Sequence, residues 1–314
     1  MNVRALGLGV LCITLLAAAP WVGEPLRGEL GTFVFWQLRV PRVLMGAAVG
    51  ATLSLVGASY QTLFDNPLAT PSTVGTTAGA TLGTLAGLAV PLPYESFAVP
   101  WLTLTAFIGA LATSSLVVFA ARTGRARLDD LLLVGIAVTL AASALAMGLQ
   151  AMLNEREVFV AVRWSLGQLA QVGYQGTVAV LPVSVIVIVS LMMLKRPLQV
   201  LVLGAEQAET RGVAVRRLRT VTLGLGALGV GVCVAWCGPI AFVGLIVPHL
   251  VRLSVGAELG LVMSLSILVG AAFVVFADSL ARLFSMGAEL PVGVVTAAIG
   301  APTLLALVWR NRSS

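Results

Sequence analysis

The chain has 314 residues, 59% of them hydrophobic and only 10% charged, with a mean hydropathy of +1.02. That composition excludes a soluble globular domain and marks an integral membrane protein. The formal charge of +6 would suit a nucleic-acid partner, but the basic residues stand at the ends of apolar runs and not on one amphipathic face, so they read as topology signals.

In chain order, residues 5–22 follow Arg4 and form an apolar run of about 18 residues, enough to cross a hydrocarbon core. The run Ala17, Ala18, Ala19 also suits the end of a signal peptide. A retained first span is preferred because it keeps the topology below consistent. Further spans are expected at 40–63, 72–90, 97–121, 131–153 and 175–194.

Residues 195–219, KRPLQVLVLGAEQAETRGVAVRRLR, are the one long polar interruption. Lys195, Arg196, Arg211, Arg216, Arg217 and Arg219 outnumber Glu206 and Glu209 there, which places the stretch in the cytoplasm. Its middle, residues 204–212, is predicted to be a short helix bounded by glycines. Blandly read, this is a solvated basic connector; functionally read, it is a docking surface for a cytoplasmic partner. Beyond it, spans are expected at 220–237, 240–255, 260–284 and 291–309. The segment 240–255 is short for a bilayer, and a re-entrant fold is its alternative.

The count is ten spans with both termini cytoplasmic. Thirteen of the 19 basic residues then fall inside and six outside: Arg27, Arg39, Arg42, Arg156, Arg163 and Arg282. No loop has room for a soluble domain, so residues 1–314 read as a single all-α polytopic transmembrane domain. Glycines four apart, at Gly46 and Gly50 and at Gly75, Gly79, Gly83 and Gly87, suit close helix packing in lipid. Cys12, Cys233 and Cys237 lie in apolar runs and read as packing residues. One histidine, His249, supplies no metal cluster, and no metal site is expected. Asp278 lies well inside a span, where a charge costs about 2.5–3.5 kcal/mol on insertion scales. It reads either as an ion-coupling acid or as a structural partner of Arg282 one turn on.

Five blocks carry more than hydropathy: RVPRVLMGAAVG, GASYQTLFDNPLATPSTVGTTAGA, GPIAFVGLIVPHLVRL, ADSLARLF and GAELPVGVVTAAIGAP. Together, over residues 39–309, they resemble the permease subunits of the iron-siderophore, haem and vitamin B12 class of ABC importers, the FecCD or BtuC-like family of type II importers. The resemblance implies a BtuC-like fold of about ten transmembrane helices with short cytoplasmic coupling helices, assembled as a homodimer in a bacterial or archaeal cytoplasmic membrane. It also implies two ATP-binding cassette ATPase subunits inside and a soluble or lipid-anchored substrate-binding protein outside. The cargo would be a bulky metal chelate: an iron-siderophore, haem or a corrinoid. ATP and Mg would belong to the partner ATPase and no cofactor to this chain. With Lys195 its only lysine and no P-loop around it, the chain has no motor of its own and is not expected to be an enzyme.

The family's coupling pattern resembles LGEAxAxxLGV, and here LGAEQAETRGV matches it at Leu203, Gly204, Ala208, Gly212 and Val213, with Arg211 in place of leucine. Glu206, Arg216 and Arg217 complete the expected ATPase-coupling surface. Arg39, Arg42 and Arg282 resemble the arginines through which family permeases pair with glutamates of the binding protein; snorkelling to the interface is the other reading. Asn66 and Leu68, with Leu128 and Asp129 opposite, match the family's cytoplasmic gate positions, the last two departing from the usual small hydroxyl residues. The pathway is expected to be lined by Gln150, Asn154, Arg163, Trp164, Gln168, Gln171 and Tyr174, RWSLGQL resembling the family's WxLGS block. Two alternatives stay open: an ion-coupled secondary transporter using Asp278, and a membrane scaffold that transports nothing.

Overall fold

The computed structural model describes residues 3–23, 28–90, 94–123, 128–169, 171–284 and 289–312. They form helices α1 (Val3–Ala18), α2 (Gly28–Phe33), α3 (Val40–Leu63), α4 (Thr76–Leu88), α5 (Tyr94–Thr123), α6 (Leu128–Gln150) and α7 (Glu155–Ser165). After these come α8 (Gln175–Met193), α9 (Lys195–Leu201), α10 (Ala205–Thr210), α11 (Val215–Cys237), α12 (Val243–Val255), α13 (Leu259–Leu283) and α14 (Val292–Arg312). Each of the ten expected spans coincides with one of these helices.

Among the described residues, seven segments are long and apolar enough to cross a membrane: Val3–Trp21, Leu30–Leu63, Trp101–Arg122, Asp130–Gln150, Gln175–Met193, Val215–Cys237 and Leu259–Leu283. The other three are shorter. Helix α4 keeps 13 residues of the expected 72–90, because Pro71–Val74 form a 3-10 turn and Gly75 turns the chain at φ +84°. Helix α12 also has 13 residues, confined between Phe242 at φ +67° and Gly256 at φ +100°. At 1.5 Å per residue each reaches about 20 Å, short of a hydrocarbon core of about 30 Å. The apolar part of α14 is Val292–Ala306.

The chain divides into two compact units, each drawn from several stretches. The first comprises Met1–Ala58, Leu166–Ile188 and Ile240–Ser314. Here Leu15 and Leu16 of α1 pack with Val43 and Ala47 of α3 and Val275 of α13 around the buried Ala19. Helices α3 and α13 touch backbone to backbone: a Cβ on Gly50 would overlap the Gly270 carbonyl, and one on Gly270 would overlap Ser54 and Gly50. Pro41 shapes the start of α3. Having no N–H, it leaves the Gln37 carbonyl without its helical donor, the helix widens into a π-turn over Val34–Arg39, and Gly173 N–H donates to Gln37 O at 2.8 Å instead.

The second unit comprises Ser59–Ser165 and Val189–Pro239. The glycine ladder expected from sequence is the seam between α4 and α5. A Cβ on Gly79 would overlap Gly109 O and the Thr113 side chain, and one on Gly83 the Thr105 carbonyl; Gly109 in turn faces Gly79 and Gly83. Polar bonds close the same seam: Thr113 Oγ1 donates to Gly75 O at 3.0 Å, and Trp101 Nε1 to Gly87 O at 3.1 Å. Tyr60 is wholly buried, and its hydroxyl donates to Leu223 O of α11 at 3.0 Å.

Three helices, α2, α7 and α9, were not legible in the sequence. The polar stretch 195–219 contains α9 as well as the expected α10. Helix α7 is a new amphipathic element, opened by a reciprocal capping box in which Glu157 N–H donates to Asn154 Oδ1 at 3.0 Å and Asn154 N–H to Glu157 Oε2 at 3.0 Å. Its Ala161 is buried against Leu85, Leu88 and Ala146.

Candidate functional site

In the first unit, Arg42 and Arg282 converge on Asp278, while Arg39 reaches the turn after α1. Arg42 Nε donates to Asp278 Oδ1 at 2.8 Å and to Oδ2 at 3.1 Å, and Arg42 Nη1 donates to Glu289 Oε2 at 2.7 Å. The expected Asp278–Arg282 pair is also present, with Nε 3.3 Å from Oδ2. The shorter bonds nevertheless go to Arg42, a partner 236 residues away that sequence spacing did not indicate. Arg282 further donates to the carbonyls of Val22 (3.1 Å) and Ala19 (3.2 Å), and Arg39 to that of Pro20 (3.4 Å). The end of α1 and the turn after it are thereby tied to the cluster.

In the ion-paired cluster two guanidiniums, of Arg42 and Arg282, meet two carboxylates, of Asp278 and Glu289. Asp278 is 1% exposed, so its pairing offsets the cost of a charge held out of water. Arg39 and Arg42 are each only 8% exposed, with much of their hydrogen-bonding capacity turned inward. Glu289 is the exposed member, at 53%. It lies in the GAELPVG block, but nothing in the sequence assigned it to Arg42.

In the second unit, the coupling stretch has a geometry that explains its glycines. Gly204 sits at φ +105°, ψ 152°, a region open essentially to glycine alone, and its carbonyl accepts Ala208 N–H at 3.0 Å to start α10. At the other end Gly212 N–H donates to Glu209 O at 2.9 Å and Val213 N–H to Ala208 O at 3.0 Å, with Gly212 at φ +82°. That is a Schellman stop, which sets Val213 against Ala208. No heavy atom lies within 4 Å of a Cβ on either glycine, so backbone conformation and not crowding requires them. Leu203, Glu206, Arg216 and Arg217 are exposed and Ala208 is buried. Glu209, Ala214, Val215, Arg216, Arg217 and Thr220 line a surface depression of about 540 Å³ beside α10.

The NPLA block is a compact turn. Asn66 Oδ1 accepts Leu68 N–H at 2.9 Å, Asn66 N–H reaches Gln61 O at 3.0 Å, and Asp65 stands at φ +46°. Leu68 is exposed. Leu128 and Asp129 open α6, and their side chains lie outside the described residues.

The expected lining residues divide between the two units. Gln150, Asn154, Arg163 and Trp164 belong to the second, where Asn154 caps α7 and the Arg163 guanidinium lies 5.9 Å from the centre of the Phe159 ring. Gln168, Gln171 and Tyr174 belong to the first. Gln171 Nε2 donates to Pro41 O at 3.2 Å and to Thr177 Oγ1 at 2.8 Å, and Thr177 Oγ1 donates to Pro41 O at 3.0 Å. The amide of Gln171 is thus used to pin its segment to the start of α3. Among the described residues no group of three His, Cys, Asp or Glu side chains is placed to hold a metal ion.

Similarity to known proteins runs over most of the chain. The chain is 38% identical over 304 residues to the cobalamin import system permease protein BtuC of Halobacterium salinarum, covering 96% of this chain and 80% of that one. It is 35% identical to the hemin transport system permease protein HmuU of Yersinia pestis (89% and 84% covered). It is 37% identical to the Fe(3+) dicitrate transport system permease protein FecC of Escherichia coli (88% and 82% covered). A solved ABC transporter structure in an inward-facing conformation superposes with a TM-score of 0.87 at 29% identity, over 98% of both chains. The family model for the FecCD transport family matches residues 8–310, and the chain belongs to that family, as a multi-pass membrane transport permease.

Proposed function

We propose that the chain is the membrane permease of an ATP-driven importer for a bulky metal chelate. Relatives named for cobalamin, hemin and ferric dicitrate support that cargo class, without choosing among its members. The observation that carries the reading is α10: a short helix, stopped at both ends by glycines in conformations suited to glycine, and presented beside exposed Arg216 and Arg217. A transporter driven by an ion gradient needs no such docking element. Asp278 argues in the same direction, since its carboxylate is taken up by Arg42 and Arg282 and does not stand ready to exchange an ion.

In this reading two chains pair around one pathway, two separate ATPase subunits bind the coupling surface of Leu203, Gly204, Glu206, Ala208, Gly212, Val213, Arg216 and Arg217, and both termini are cytoplasmic. ATP and Mg stay with the ATPase. Asn66 and Leu68, with Leu128 and Asp129, form the cytoplasmic gate. The half-polar side chains of Gln150, Asn154, Trp164, Gln168 and Tyr174 face the cargo. An acidic binding protein docks over Arg39, Arg42 and Arg282, where charge complementarity acts mainly on specificity and on-rate.

The test is a double charge reversal, Arg216→Glu with Arg217→Glu. Co-purification of an ATPase from native membranes is expected to fall at least tenfold, as for an interface that loses more than about 1.4 kcal/mol, while the amount of chain in the membrane stays unchanged. Undiminished co-purification would refute the coupling role.

A further inference from the structure

Within the arginine cluster the two carboxylates are not equivalent. Asp278 is buried and takes Arg42 Nε on both oxygens, with Arg282 Nε close to the second. Glu289 is 53% exposed and meets Arg42 through one end-on bond, from Nη1 at 2.7 Å. A buried two-oxygen pair is held in place by what surrounds it. An exposed single-contact pair is worth little on its own, about 0–1 kcal/mol, and can be exchanged at small cost.

We propose that Glu289 is a built-in competitor for the acidic partner: it occupies on Arg42 the position that a partner carboxylate takes on docking, and it swings out to water when that carboxylate arrives. This rests on the docking reading above. Two features of the cluster support it. Glu289 is the member with water access, and can leave without exposing Asp278. Arg42 keeps its bonds to Asp278 throughout, so the exchange does not require the buried pair to open. The consequence is weakened, reversible docking. A partner must displace one carboxylate for each that it supplies, which favours release after delivery and disfavours weakly acidic bystanders.

The experiment uses the purified full chain in lipid nanodiscs and fluorescently labelled poly-L-glutamate as the acidic probe, at low and at physiological ionic strength. Glu289→Gln is expected to tighten probe binding roughly threefold to tenfold at low salt, an effect of the size that one close charge contributes. Glu258→Gln makes the same change in net charge at an exposed residue before α13 and is expected to leave binding nearly unchanged. Arg42→Gln and Arg282→Gln are expected to weaken it. Because those two substitutions disturb a buried pair, the reactivity of Arg42 toward phenylglyoxal is also read by peptide mapping in chains that keep both arginines. It should rise several-fold in Glu289→Gln and be suppressed by the probe. If neither arginine substitution alters binding, and the probe does not protect Arg42, the docking reading fails and this proposal fails with it. If the arginines matter but Glu289→Gln gains no more than Glu258→Gln, docking stands and the competitor role is overturned.

Discussion

Asp278 accepts hydrogen bonds from Arg42 and lies against Arg282, so replacing it with asparagine leaves two nearly buried guanidiniums facing a neutral amide. Removing one partner of a buried ionic network typically costs about 3–5 kcal/mol. Asp278→Asn is therefore expected to lower the thermal unfolding midpoint in detergent by several degrees and to loosen the turn at Ala19–Trp21, which Arg282 and Arg39 hold by its carbonyls. An unfolding midpoint equal to that of the unmodified chain, with loss of a cation dependence of transport, would instead identify Asp278 as a coupling acid. At this scale the sequence was half legible. The Asp278–Arg282 spacing is one helical turn and could be read directly. The stronger bond to Arg42 joins blocks at opposite ends of the chain, and nothing in a local pattern encodes that distance. The role of Gln171 was hidden for a related reason: its amide binds the carbonyl of Pro41, 130 residues away, beside the Gln37 carbonyl that Pro41 leaves to Gly173.

At the scale of elements, the two glycines of the coupling stretch make the sharpest case for legibility. Gly204 and Gly212 bracket a helix that the sequence predicted, and each stands where an L side chain is strained. Gly212→Ala is expected to cost about 1–2 kcal/mol at the left-handed position, unravelling the Schellman stop that sets Val213 against Ala208. Co-purified ATPase should fall while membrane insertion does not, and Gly212→Asn should recover part of the loss, because asparagine tolerates that conformation better than alanine. Equal co-purification from Gly212→Ala and the unmodified chain would show that the helix stop is irrelevant to coupling. Helix α7 escaped a search for apolar runs because it is amphipathic and short, with Glu155, Arg156, Glu157 and Arg163 interrupting its apolar residues. Its start was nonetheless written in the sequence, in the Asn154–Glu157 spacing of a capping box. The shortness of α12 was visible in hydropathy, whereas that of α4 was not, since a 3-10 turn and an apolar helix share the same composition.

At the scale of the whole molecule, hydropathy alone located every principal helix, because a helix in hydrocarbon must satisfy its own backbone and has few other options. It could not reveal that the chain divides into two compact units drawn from interleaved stretches, with α3 and α8 each running from one unit into the other. No P-loop stands around Lys195, so the proposed importer reading expects the ATPase on a separate chain. The most direct measurement of the central claim is affinity purification of the tagged chain from native membranes, with bound proteins identified, bound chromophore read by absorbance, and cargo uptake followed before and after ATP depletion. An ATPase subunit is expected to co-purify, with an absorption band of a corrinoid, haem or ferric chelate, and uptake is expected to stop when ATP is removed. Recovery of the chain alone, with uptake that persists without ATP and is abolished by Asp278→Asn, would contradict that claim.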